Sequence, residues 1–124
     1  MEETRKQVMK KKQVISQNYL EKVPLRHTDI GWSEDDKGIV TLQIENRGFY
    51  NRVAQKLFKR PKTSYVHLDE NGSFIWKQID GESDIIAIGK LVDEHFGEAA
   101  HPLYERLARF FQILESYHFI TWKE

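Results

Sequence analysis

Residues 67–81 read "HLDENGSFIWKQIDG", and this stretch decides the fold because it is compatible with two different structures. Asn71-Gly72 between apolar runs is typical of a two-residue β-hairpin turn. Asp69 is instead typical of a helix N-cap, because its carboxylate accepts hydrogen bonds from the free backbone N–H groups of a first helical turn.

The apolar residues of this stretch favour the helix. Three consecutive apolar residues at 74–76 break the alternation of a strand. Four residues instead share one face of a helix, at the spacing i, i+3, i+4 and i+7: Gly72, Ile75, Trp76 and Ile79. A glycine on that face lets another element approach closely, at a cost of about 1 kcal/mol relative to alanine. We therefore predict a helix over residues 69–79, with Asp80-Gly81 as its exit.

Three strands are predicted before this helix. The runs "HTDIGWSE" (27–34) and "GIVTLQIE" (38–45) flank the turn "DDKG", where Gly38 is available for a positive φ. The third run is "KTSYVHL" (62–68), in which Val66 and Leu68 point one way and Tyr65 and His67 the other.

Two more helices are predicted after residue 81. The first is capped by Ser83 or Asp84 and ends at Gly97, and the second follows Pro102. "FITWKE" (119–124) predicts a small terminal strand or wing. Strands followed by helices indicate an α+β fold, with a three-stranded antiparallel sheet followed by a three-helix bundle. We expect one domain over residues 21–124, preceded by a flexible or helical arm over residues 1–20.

A basic segment separates the second and third predicted strands. Its apolar residues Phe49, Val53 and Leu57 have helical spacing, so residues 47–60 predict a short surface helix that Pro61 ends. The N-terminal arm is also basic at first, with Val8, Ile15 and Tyr19 at the spacing of a weakly amphipathic helix.

Composition argues against several functions. Lys plus Arg and Asp plus Glu are both 19, so the net charge is zero and no broad nucleic-acid-binding surface is expected. Cysteine is absent, which excludes thiolate metal sites and a cysteine nucleophile, and no histidines pair at i, i+4. No apolar run reaches the length of a membrane span. We expect a cytoplasmic protein without catalytic activity, metal or cofactor.

A winged-helix DNA-binding regulator is the alternative, because three helices and a terminal strand are compatible with that fold. Its recognition helix normally presents a basic face. The polar positions of the third predicted helix carry no net charge: Glu105, Arg106, Arg109, Gln112, Glu115 and Ser116.

The ordered set of elements resembles the PqqD family. The resemblance lies in "HLDENGSFIWKQIDGESDIIAIGKLVDEHFG" (67–97), "LYERLARFFQILESYHFI" (103–120) and "VPLRHTDIGWSEDDKGIVTLQIEN" (23–46). It extends from Val23 to Ile120. The basic segment 47–60 and the N-terminal arm are additions to the family pattern, and Asp69 stands where family members often have Asn.

The resemblance implies a winged-helix-like fold and a peptide chaperone. Family members recognise the leader of a ribosomally made precursor peptide and present it to a modifying enzyme, often a radical SAM enzyme. The leader adds as a strand to the third strand, beside the third helix. The peptide-binding residues expected here are Thr63, Tyr65, His67, Arg106, Phe110, Ile113 and Tyr117. The partners expected are the precursor peptide and its modifying enzyme, and a homodimer is compatible with the pattern.

Overall fold

The structure is a computed structural model that describes residues 17–45 and 63–124. The predicted helix within 47–60 and most of the predicted arm, residues 1–16, lie outside these ranges. The described residues form an α+β structure in which a three-stranded antiparallel sheet is followed by several helices. None of the helices in these two ranges combines the length and the apolar character needed to cross a bilayer.

The sheet consists of β2 (Ile30–Glu34), β3 (Val40–Glu45) and β4 (Thr63–His67), in that order, with a short strand β1 (Pro24–Arg26) lying before it in the chain. Gly38 has φ +83° in the turn between β2 and β3, as predicted. In the ladder, Trp32 is opposite Leu42 and Leu42 is opposite Val66. These three residues therefore share the face of the sheet that meets the helices, and Leu42 is fully buried there.

Three helices follow β4. They are α2 (Glu70–Gln78), α3 (Ile85–Phe96) and α4 (Leu103–Ser116), with a short 3₁₀ helix (Gly97–Ala100) between the last two and a helical turn α1 (Gln17–Leu20) before β1. Asp69 caps α2, since its Oδ1 accepts a hydrogen bond from the Gly72 N–H at 2.7 Å. Asp84 caps α3 in the same way. The hairpin interpretation of Asn71-Gly72 is thus excluded, and the predicted helix is confirmed.

Glycines allow the helices to approach closely. A Cβ atom on Gly72 would lie 3.1 Å from Cε1 of Phe110, so the first turn of α2 touches α4 where a larger residue would crowd it. On Gly89 of α3, a Cβ atom would lie only 2.7 Å from the Tyr104 ring. The predicted role of Gly72 is confirmed, whereas the same role of Gly89 was not predicted.

A second, two-stranded sheet joins the two ends of the domain. β1 pairs antiparallel with β5 (Ile120–Trp122), so the predicted terminal strand exists and its partner is a strand that the sequence did not indicate. Tyr19 of α1 lies edge-on to Trp122, with ring centroids 5.7 Å apart. Burial, and secondarily the nearby Glu115 carboxylate, raise the pKa of the Tyr19 phenol to about 12.

Ser73 joins α2 to the central strand of the main sheet. Its buried hydroxyl accepts a hydrogen bond from the Val40 N–H at 2.8 Å, and Val40 itself is fully buried. The Ser73 Oγ also lies 3.4 Å from the Leu68 carbonyl oxygen. A buried backbone N–H without a partner is costly, so this side chain completes the ladder where β3 meets the helix.

We expect Ser73→Ala to lower the free energy of unfolding by about 1–3 kcal/mol, because it leaves the Val40 N–H buried without an acceptor. Urea denaturation measures the loss. Ser116→Ala is the matched control, since it removes an exposed helical hydroxyl bonded only to the Ile113 carbonyl. Equal, small effects of the two substitutions would contradict this assignment.

The end of α4 is a Schellman motif formed without glycine. The Phe119 N–H donates to the Leu114 carbonyl and the His118 N–H to the Glu115 carbonyl, each at 2.9 Å. His118 takes the left-handed position of the motif, with φ +64°. This conformation is unfavourable for a residue with a Cβ atom, and it turns the chain from α4 into β5.

His118→Gly should raise the free energy of unfolding by about 0.5–1 kcal/mol, since relief of the left-handed strain exceeds the entropy that glycine adds to the unfolded chain. His118→Ala keeps the Cβ atom and serves as the control. A thermal melt in which glycine is no more stable than alanine would refute the prediction.

Candidate functional site

β4 lies at one edge of the main sheet in the described part of the chain. The Leu68 N–H donates to the Val40 carbonyl across the β3–β4 ladder at 2.9 Å. Because bonded and non-bonded residues alternate along an antiparallel strand, Ser64 and Val66 also direct their backbone groups towards β3. The N–H and C=O groups of the intervening residues, Thr63, Tyr65 and His67, therefore point away from β3.

The side chains of these three residues lie on the face of the sheet opposite the helices. Tyr65 is opposite Gln43 in the ladder and remains 59 % exposed. His67 is opposite Thr41, and its Nδ1 lies 2.8 Å from the Thr41 Oγ1. The predicted alternation of β4 is confirmed, since Val66 and Leu68 pack against the core on the other face.

The other four candidate residues lie along one side of α4. Their spacing of four, three and four residues places Arg106, Phe110, Ile113 and Tyr117 on successive turns. Phe110 is half-buried and packs against the core, whereas Ile113 is 46 % and Tyr117 64 % exposed. Tyr117 stacks on Phe119, with ring centroids 5.5 Å apart. Of this row, the two residues nearest the C-terminal end of α4 are exposed apolar surface.

The seven candidate residues thus form two groups. The β4 group presents backbone groups at the sheet edge and side chains on the outer face. The α4 group contacts the region that follows β4, where Phe110 lies against Gly72. A strand added to the β4 edge would project alternate side chains to both faces, so the two groups do not have to touch one another to contact the same ligand.

A pocket of about 140 Å³ lies between the first turn of α2, the 3₁₀ helix and α4. Two of the predicted residues, Arg106 and Phe110, line it. Other lining residues were not predicted as site residues, among them Ile75, Val92 and Ala100. Helical spacing places Ile75 only on the apolar face of α2. The close approach that Gly72 allows is the one sequence signal for a contact between elements here.

Two charged side chains at the pocket, Arg106 and Asp69, form hydrogen bonds with backbone groups. Arg106 Nη1 donates to the Ala99 carbonyl at 2.8 Å, which holds the guanidinium at the pocket mouth. Asp69 accepts from the Gly72 N–H with one carboxylate oxygen, Oδ1. The remaining guanidinium N–H groups are available to an incoming carboxylate.

The titratable groups with displaced pKa values have structural explanations. Hydrogen bonds from backbone N–H groups lower the pKa of the Asp35 and Asp80 carboxyls, which lie in exposed turns. Burial lowers the pKa of Arg26, whose guanidinium covers the Trp32 ring at 4.8 Å. Within residues 17–45 and 63–124, no three His, Asp or Glu side chains are grouped so that they could hold a metal ion. The displaced pKa values of Asp35, Asp80 and Arg26 thus follow from turn hydrogen bonds and burial within the fold.

Comparison with known proteins identifies the family. The family model described as coenzyme PQQ synthesis protein D (PqqD) matches residues 39–120. No match was found among curated proteins or among solved structures. The matched residues include β3, β4, all three long helices and both groups of candidate residues. Because the match covers well over half of the residues of this chain, the chain belongs to the PqqD family, a family of recognition elements for ribosomally made, modified peptides.

Proposed function

We propose that this protein is a non-catalytic accessory protein that binds the leader of a precursor peptide and presents it to a modifying enzyme. The observation that supports this most is the row of outward-facing backbone groups on β4, at Thr63, Tyr65 and His67. The leader pairs with this edge as an added strand, and a radical SAM enzyme is the proposed partner. Membership of the PqqD family supports the same role.

The edge offers a limited amount of binding energy. Each of its three outward residues presents one donor and one acceptor, and a net hydrogen bond contributes about 0.5–1.5 kcal/mol. Ordering a flexible peptide offsets much of this gain. Affinity and selectivity therefore depend on side-chain contacts, for which Ile113 and Tyr117 provide exposed apolar surface beside α4. Arg106 favours an acidic residue in the client.

The proposal includes the winged-helix form, the cellular location and the oligomeric state of the protein. We infer a winged-helix-like arrangement from the sheet, the three long helices and β5. We also propose a cytoplasmic protein, and a homodimer is compatible with an edge strand. DNA binding is the weaker alternative, because the exposed polar side of α4 has two acids and two bases: Glu105, Glu115, Arg106 and Arg109.

Proline substitution separates edge pairing from folding. Tyr65→Pro removes an outward N–H, so we expect the domain to fold and to bind a leader peptide at least tenfold more weakly. Val66→Pro is the contrast, since it removes an N–H that points into the sheet, and it should unfold the domain. The probes are synthetic leader segments of any short precursor peptide that neighbouring genes encode. The peptide is titrated into the protein, and amide chemical shifts report binding.

The same titration gives a direct test of strand addition. A bound strand should protect the Tyr65 and His67 amides from hydrogen exchange. The amides of β2, the other edge strand of the described sheet, should stay unchanged. If none of the peptides protects the β4 amides, or if Tyr65→Pro folds and binds with unchanged affinity, the proposed function is wrong.

Ile113→Glu tests the contribution of α4. Because Ile113 is 46 % exposed, we expect little loss of stability and at least a tenfold loss of affinity for the same leader peptide. Gln112→Glu adds the same charge one residue away on another side of α4 and should leave the affinity within twofold. Thermal melts accompany both titrations, and retained affinity in a folded Ile113→Glu variant would remove Ile113 from the site.

A further inference from the structure

The pocket between α2 and α4 combines an apolar floor with a charged mouth. Its floor is formed by buried residues, among them Ile75, Val92, Ala100 and Leu107. Its mouth carries the exposed residues Arg106 and Asp69, with Phe110 along one wall. No strand residue lines it, so it is distinct from the edge of β4.

We propose that this pocket receives one large apolar side chain of the client peptide, from a position outside the segment that pairs with β4. The proposal rests on the proposed function and adds a second, separate point of recognition. The client is therefore a peptide with an apolar anchor residue and an acidic residue next to it.

The size of the pocket limits the anchor. An apolar cavity of about 150 Å³ is large enough to bind benzene. The volume here, about 140 Å³, thus suits a single-ring aromatic or a branched aliphatic side chain. A two-ring indole exceeds it. Burial of such a side chain stabilises the complex about as much as several edge hydrogen bonds do.

The charges at the mouth determine what lies beside the anchor. Arg106 is held over the mouth by its 2.8 Å hydrogen bond to the Ala99 carbonyl, so its free N–H groups face an incoming ligand in a fixed position. Asp69 is already committed to the Gly72 N–H and repels a carboxylate on its own side. An acidic client residue is accommodated on the Arg106 side only.

The place of the pocket in the chain determines where the anchor lies. Asp69 is two residues beyond His67, the last residue of β4, and Gly72 is five residues beyond it. A client strand that runs past the end of β4 reaches the pocket within a few residues, at about 3.3 Å per residue. The anchor precedes the paired segment if the client is antiparallel to β4 and follows it if the client is parallel.

Two adjacent alanines provide the test. Ala100 lies in the buried floor and Ala99 is exposed beside it, so Ala100→Leu fills the pocket and Ala99→Leu is the matched control. Toluene is the first probe. Its binding is monitored by the methyl chemical shifts of Ile75 and Leu107. We expect saturable shifts in the wild type and Ala99→Leu, and at least a tenfold weaker response in Ala100→Leu.

The second probe is the leader peptide that protects the β4 amides. Ala100→Leu should weaken its binding at least tenfold while the Tyr65 and His67 amides still become protected at saturation. Ala99→Leu should bind within twofold of wild type. If Ala100→Leu does not fold, Leu103→Phe, at a half-buried lining residue, replaces it.

The outcomes separate this inference from the proposed function. Protection of β4 together with unchanged affinity in the filled variant overturns the anchor pocket and leaves strand addition intact. Absence of a toluene response in the wild type also overturns it. Absence of β4 protection with every peptide overturns the proposed function itself, and the inference with it.

Discussion

The contact between Gly72 and Phe110 is the constraint on which the arrangement of this domain depends. With no side chain at residue 72, α4 approaches the first turn of α2 so closely that a Cβ atom there would lie only 3.1 Å from the Phe110 ring. The close approach fixes α4 next to the point where β4 becomes α2. It therefore brings Phe110 of α4 to the first turn of α2, where the pocket begins a few residues after the end of β4.

Stability and the proposed strand recognition depend largely on different residues of the domain. The residues that hold it together, such as Trp76, Phe111 and the Ser73 hydroxyl, are buried almost completely. Those proposed to contact the leader strand, such as Tyr65, Ile113 and Tyr117, are exposed. Exposed residues of this kind can vary without a change in the core, whereas buried residues such as Ile75 and Ala100 belong both to the core and to the floor of the pocket.

Much of the fold is predictable from local chemistry, whereas the site is predictable only in part. One-sided spacing and Asp69 identified α2 despite Asn71-Gly72, and alternation identified β3 and the two faces of β4. β1 was missed because three residues including a proline carry no periodic signal, and its partner is at the other end of the domain. The Schellman turn was missed because His118 occupies a position where glycine is expected. The pocket is lined by residues of separate elements, such as Ile75 of α2 and Ala100 of the 3₁₀ helix, and no spacing within one element indicates that they line the same cavity.

The pairing of β1 with β5 brings the two ends of the described domain side by side. The Lys123 N–H donates to the Val23 carbonyl at 2.9 Å, so the residues just before β1 lie beside those just after β5. A domain with adjacent ends can be inserted into a loop of another protein without opening either fold. The same geometry suits this domain to insertion by genetic fusion, because the β1–β5 sheet holds the two points of connection next to each other.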